Sequence, residues 1–382
     1  MVLKASSRGQ VPPFIVMDVM RAAEERERAG GDVLHLEVGQ PATAAPRKVI
    51  EAAEQALRDD RIGYTNALGM WELREAIAKH YGGAYGVSVA PDEVVVTTGS
   101  SGGFVLSFMA AFDAGDRVAL ASPGYPAYRN ILTGLGVEVV DLPTTLEDNF
   151  QPTVARLEAL DQVPDGLIVA SPSNPAGTMI HPEEFKALIE YCRVHGIRLI
   201  SDEIYHGITY GVPCVTALNH TRDAVIINSF SKYYSMTGWR LGWMIVPQDL
   251  QRSIECLAQN LFISSPAISQ LAGIAAFDCV EELEANVQHY ARNRELLLDK
   301  LPKAGFSRLA PAEGAFYIYA DVSEMTDDAT DMCRRMLAEI GVAATPGVDF
   351  DPTRGHHFVR FSFAGGEAEV AEAADRLITW RR

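Results

Sequence analysis

Several features are scarce or missing in this 382-residue chain, and each one closes off a class of function. No apolar run approaches the ~20 residues needed to cross a bilayer. The opening MVLKASSRGQVPPF has an early lysine but lacks the apolar stretch of a signal peptide, so a cytoplasmic protein is expected. Positive charge is in deficit: 33 Lys and Arg face 50 Asp and Glu, for a net charge of −17. That balance argues against nucleic acid and against an anionic membrane surface as partners. It leaves room for a local basic pocket that takes a small anion. The cysteines (Cys192, Cys214, Cys256, Cys279, Cys333) are five, scattered, and without a CxxC pair. They read as reduced structural thiols, and no metal site is expected. There is no Walker loop and no G-x-G-x-x-G, which removes the commonest signatures of nucleotide binding. Internal repeats, low-complexity tracts and flexible linkers are absent as well.

What is present is an ordinary globular composition, 48% apolar and 22% charged, on a chain long enough for two domains. Apolar residues at helical spacing from Phe14 lead into the charged run EERERAGG, a solvated helix end stopped by Gly30 and Gly31. A short strand, VLHLEVG, follows, then helices over 47–59 and 71–81. From Asp92 the rhythm changes. DEVVVTTGSSGG, DRVALASPGYPAY, GVEVVDLP, DGLIVASPSNPAG, GIRLISDEIYHG and AVIINSFSK each open on a short apolar run, which predicts an α/β plan with a sheet covered on both faces. Beyond Pro266 longer helices take over (269–279 and 281–301). Two strand-like segments, GAFYIYADV and HHFVRFSFA, then flank a helix over 329–340. The expected division is a large domain over 46–285 and a smaller α+β domain over 286–382, against which residues 1–45 pack.

The polar motifs TGSSGG, SPGYP, SPSNPAG, SDEIY and SFSK all fall at the C-terminal ends of predicted strands, where open α/β sheets bind ligands. The most informative is SFSKYYSMTGWR. A lysine just past a strand is ordinarily a solvated surface group. Lys232, however, follows two hydroxyls, Ser229 and Ser231, and Arg240 comes eight residues on. Lysine forms Schiff bases, and neighbouring cations keep it usable as a nucleophile. Small residues opening a helix (Gly99, Ser100, Ser101) make a weak anion signal. Asp202 ends an apolar strand, where a bare carboxylate is costly and calls for a partner, either a local cap or a cationic ligand atom. Arg360 lies in an apolar strand among Phe358, Val359, Phe361 and Phe363, which suits bidentate capture of a carboxylate. Read singly, Tyr125 is a core aromatic, Asn174 a turn residue before proline, and Tyr205 a residue on the same side of a turn as Asp202.

Taken together and in this order, the motifs closely resemble the class I/II aminotransferases of the aspartate aminotransferase superfamily, pyridoxal 5′-phosphate (PLP) enzymes of fold type I. The resemblance runs from about Phe14 to the C-terminus. It implies fold type I: a large PLP-binding domain with a mostly parallel central sheet, plus the smaller α+β domain. It also implies that Lys232 carries PLP and moves protons, that Asp202 pairs with the ring nitrogen, and that Tyr125 stacks on the ring. Asn174 and Tyr205 would bond the ring oxygen. Gly99, Ser100, Ser101, Ser229, Ser231 and Arg240 would form the phosphate side of the site, with Tyr64 contributed across a homodimer interface. Arg360, assisted by Gly39 and Asn174, would take the substrate α-carboxylate. The implied reaction moves an amino group from an L-amino acid to a 2-oxo acid by ping-pong kinetics.

Three rivals stand beside it: a PLP-dependent β-lyase on the same fold, a non-catalytic PLP-binding regulator, and a plain nucleotide-binding α/β protein. The regulator would need a DNA-binding domain, for which there is no room before Phe14. The plain binder leaves Lys232 and Asp202 unexplained. An uncharged donor is expected, because Arg360 and Arg240 are committed and the covering segment VPPFIVM is apolar.

Overall fold

Residues 3–380 are described by a computed structural model. The first strand, β1 (Leu34–His35), stands apart from the next seven. Those are β2 (Val94–Thr97), β3 (Arg117–Ser122), β4 (Glu138–Pro143), β5 (Gly166–Ala170), β6 (Arg198–Asp202), β7 (Val225–Ser229) and β8 (Gly242–Ile245). They form one sheet in the order β2-β8-β7-β6-β5-β3-β4. Neighbours run parallel except β8, which is antiparallel to both β2 and β7. The apolar runs are continuous because both faces are covered. Val96, Ala119, Leu167, Leu199 and Ile226 enter one apolar cluster. Their neighbours Val95, Val118, Ile168, Ile200 and Ile227 enter another on the opposite face. This is the period-two alternation of a strand, with each buried aliphatic side chain contributing roughly 1.5–3 kcal/mol.

The helices that matter for the site come early: α1 (Ile15–Arg28), α2 (Arg47–Arg58), α3 (Trp71–Tyr85), α4 (Gly99–Ala111) and α5 (Pro126–Leu135). The third runs past its expected end at Tyr81. Gly82 and Gly83 stay helical, and the stop is Gly86, which takes the left-handed conformation (φ +67°).

The second sheet is built from β9 (Arg308–Leu309) and β10 (Tyr317–Asp321), then, after β11 (Val342–Ala343), from β12 (Thr345–Pro346) and β13 (Phe358–Ser362). Its order is β12-β13-β10-β9, antiparallel throughout. The segment VLHLEVG supplies only the two residues of β1, paired in parallel with β11. Leu36, just beyond, is buried in the same apolar cluster as Phe316, Ile318, Val359 and Phe361. The expected helix over 329–340 is α-helical only to Arg335 and closes with a π-helical turn, Met336–Ile340. No helix among the described residues is long and apolar enough to cross a membrane.

Candidate active site

The C-terminal ends of β2, β3, β5, β6 and β7 meet at one edge of the central sheet. Because β8 runs the other way, its beginning lies at that edge, and this brings in Arg240. The cavity there has a volume of about 360 Å³. Gly39, Ser100, Ser101, Tyr125, Asn174, Asp202, Tyr205, Ser231, Lys232, Arg240 and Arg360 all line it.

Lys232 follows a strand whose five residues are all buried. Ser229 Oγ accepts the Ser231 N–H at 3.1 Å and lies 2.9 Å from Ser231 Oγ, which folds the chain back directly after the strand. The Lys232 ammonium donates to the Gly39 carbonyl at 2.6 Å and lies over the Tyr205 ring, 5.6 Å from its centroid. Burial, and next the charge of Arg360, bring its pKa down to about 8.

Asp202, 3% exposed, ends β6. The Tyr128 hydroxyl and the Ile204 N–H (3.1 Å) donate to it. Burial still lifts its pKa to about 6, and among the described residues it forms no ion pair. Such a carboxylate fits a protonated ring nitrogen.

The opposite end of the cavity is cationic and tightly built. Gly99 has φ +68°, and a Cβ there would come within 2.3 Å of an Arg240 guanidinium nitrogen. A Cβ on Gly242 would come within 2.9 Å of the Ser100 nitrogen. Glycine at both positions lets the N-terminus of α4 and Arg240 approach one another. Two hydroxyls, helix N–H groups and a guanidinium converge there, a donor set that fits a phosphate dianion.

Arg360 projects from β13 and is 3% exposed. One terminal nitrogen donates to Asn174 Oδ1 at 2.8 Å, and the other donates to the Glu37 carbonyl and, at 3.3 Å, to Thr345 Oγ1. Its Nε has no partner among the described residues. The guanidinium lies between the Tyr317 and Phe350 rings, 4.4 and 4.8 Å from their centroids. A buried cation held by neutral oxygens and aromatic faces fits an incoming carboxylate. With Oδ1 engaged, Asn174 has its amide N–H donors left to offer the cavity.

Tyr125 is packed edge-on by Phe14 (5.8 Å) and Tyr128 (5.3 Å), and burial pushes its pKa up to about 12. Tyr205 shares a 2.7 Å hydrogen bond with Tyr317. The bonds Ser122–Pro123 and Asn174–Pro175 are cis, as is Ser171–Pro172. Tyr64 is not in this cluster: it is 85% exposed and does not line its own chain's cavity. Ser229 lies beneath the cavity, buried among Ser231 and the Leu241 carbonyl.

Sequence reasoning missed Tyr128 and Tyr317. The first stands three residues after Tyr125 at the start of α5, and so on the same helix face. The second alternates with Tyr319 along β10, but nothing local separates it from a core residue. A Cβ on Gly39 would overlap the Tyr317 hydroxyl at 2.0 Å, so glycine is required where that tyrosine crosses the cavity.

An apolar wall comes from α1 and its approach, Phe14, Val16, Met17 and Met20, with Val38 beside them, and Gln40 and Thr237 also reach the cavity. Two arginines outside this lining are engaged elsewhere: Arg129 is held by both oxygens of Asp141 at 2.9 and 2.6 Å. Arg292 is paired with Glu367.

Comparison with known proteins gives the family. The family model "Aminotransferase class I and II" matches residues 31–377. A valine–pyruvate aminotransferase of Mycobacterium tuberculosis is 52% identical over 381 residues, covering 99% of this chain and 98% of that one. A (5-formylfuran-3-yl)methyl phosphate transaminase of Methanocaldococcus jannaschii is 34% identical, with 95% of each chain covered. The crystal structure of an aminotransferase from Mycobacterium tuberculosis superimposes with a TM-score of 0.98 at 51% identity, covering 99% of both chains.

Proposed function

The chain belongs to the class I and II aminotransferases and transfers an amino group from an amino acid to a 2-oxo acid, and from that premise we propose that it uses PLP held on Lys232 and takes an uncharged L-amino acid as donor. The observation that carries the proposal is one cavity joining a lysine of lowered pKa with a buried carboxylate and a buried arginine that form no ion pairs among the described residues. When bound, PLP supplies an aldehyde for the amine and a protonated ring that draws electrons from the donor's Cα.

The protein's own residues do the rest. Ser100, Ser101 and Arg240 hold the phosphate, supported from beneath by Ser229 and Ser231, and Asp202 keeps the ring nitrogen protonated. Tyr125 packs on the ring, while Asn174 and Tyr205 donate to its oxygen. Arg360 takes the α-carboxylate, assisted by the backbone at Gly39. Lys232 Nζ then takes the Cα proton, a role suited to an amine whose pKa lies near neutrality. Donor and acceptor use the cavity in turn, which gives ping-pong kinetics.

Among the described residues the cavity's cations are Lys232, Arg240 and Arg360, and each has a task in this scheme. A distal carboxylate would therefore be buried against the apolar face of α1 without a partner, at a cost of several kcal/mol. The name of the Mycobacterium tuberculosis relative supports the same reading.

A homodimer with Tyr64 reaching the neighbouring subunit's phosphate site is part of the proposal, supported by the exposure of that residue. So is the division into 1–45, 46–285 and 286–382, supported by the pairing of β1 with β11. A cytoplasmic location completes it.

The test is a donor panel of valine, leucine, alanine, phenylalanine, aspartate and glutamate against pyruvate and 2-oxoglutarate, with products identified. An uncharged donor should exceed aspartate in kcat/KM by about tenfold or more. Preference for aspartate or glutamate would sink the donor assignment. Release of pyruvate and a thiol from a cysteine conjugate, with no transamination, would point instead to the β-lyase.

A further inference from the structure

One tight turn, Gly347 to Asp351, touches the start of α1, the Arg360 guanidinium and the backbone before Tyr125. The Asp349 carboxylate, 7% exposed, accepts the N–H groups of Ile15 (2.8 Å) and Val16 (3.3 Å), the first two residues of α1. That helix has no side-chain cap of its own, since Phe14 occupies the position before it. Its free N–H groups and positive end are thus met by a carboxylate more than 330 positions along the chain. The next residue, Phe350, supports the Arg360 guanidinium with its ring, and its carbonyl accepts the Gly124 N–H at 3.1 Å, directly before Tyr125. Burial raises the pKa of Asp349, opposed first by the Ile15 and Val16 N–H groups and then by the charge of Arg360. The far end of α1 is tied independently. His35 Nδ1 lies 2.8 Å from Glu37 and its Nε2 lies 3.3 Å from Glu27 of α1.

We infer that Asp349 is a positioning and specificity-determining residue: it fixes the first turn of α1 as the cavity's apolar wall and sets a negative charge behind that wall, next in sequence to the ring that backs Arg360, which disfavours donors with a second carboxylate. The inference rests on the donor reading above and adds its cause. A neutral wall alone would only fail to welcome an acidic side chain, whereas a carboxylate behind that wall repels it.

Two substitutions separate the two roles. Asp349→Asn keeps one acceptor for the helix N–H groups and removes the charge, while Asp349→Ala removes both. In the holoenzyme, D349N should raise the aspartate-to-valine ratio of kcat/KM about tenfold, the scale of relieving a like-charge contact. D349A should also lower kcat/KM for valine. In D349A, hydrogen–deuterium exchange should quicken over residues 15–20 and stay unchanged over residues 24–28, a readout that does not depend on turnover. A ratio unchanged in D349N, or unchanged exchange over residues 15–20 in D349A, would overturn the assignment. A wild-type enzyme that prefers aspartate to valine would defeat the donor reading instead, whatever the variants do.

Discussion

The two halves of the cavity are built in different ways. On the side proposed for the cofactor, Ser100, Tyr125, Asn174, Asp202 and Lys232 each stand within a few residues of the end of a central strand. Once the sheet forms, the chemistry arrives with it. On the side proposed for the substrate, Arg360 is held by Glu37, Asn174, Thr345, Tyr317 and Phe350, drawn from four separate stretches of chain. The wall facing it is a helix pinned by a residue near the other end of the sequence. Strand ends give a site whose parts are set by local sequence. Packing between distant segments gives a site whose shape can change when any one of them changes. The comparison predicts that damage to the first half abolishes chemistry, and that damage to the second half reshapes substrate choice.

The largest expected effect is Lys232→Ala, which should lower turnover by about four orders of magnitude, the upper range for a positioned proton carrier, while PLP still binds non-covalently. Asp202→Ala should follow, with a loss in kcat of about a thousandfold and a much smaller loss of cofactor affinity, because the phosphate carries most of the binding. A near-wild-type rate in that variant would show Asp202 to be a structural cap held by Tyr128. Arg360→Ala should cost about a hundredfold in kcat/KM for the donor and leave the cofactor spectrum intact. An altered spectrum would break the division between the two halves. Uptake of PLP by the apoenzyme should depend on pH through Lys232. Its pKa is lowered from 10.5 to about 8, so the neutral amine increases about tenfold per unit up to that pH and levels off above it. A rate still climbing at pH 10 would contradict the lowered value. The smallest effect is Tyr64→Phe, expected to weaken PLP binding about fivefold, as for one lost hydrogen bond. Sedimentation should show a dimer in that variant and in the wild type.

The same comparison explains what was legible in the sequence. The parallel sheet could be read because each strand is a continuous apolar run that ends on a polar motif, and the motifs carry their order with them. Arg360 could be read because a guanidinium among phenylalanines in a strand needs a reason. Tyr317 could not, since YIYAD is an ordinary buried strand until Gly39 brings the other chain segment against it. Asp349 was equally silent: an acid in a turn has many local uses, and its two bonds run to residues 15 and 16. The end of α3 was misjudged for a related reason. That helix packs through Leu73, Ile77 and Tyr81 into the core, and the packing carries it past Gly82 and Gly83.

The account stands most directly on Lys232, and reductive trapping tests it. The purified protein should be yellow. Treatment with borohydride followed by proteolysis should place the reduced cofactor's mass on the peptide containing Lys232 and on no other. Label on a different lysine, or none on a fully active enzyme, would contradict the assignment of the cavity's cofactor side.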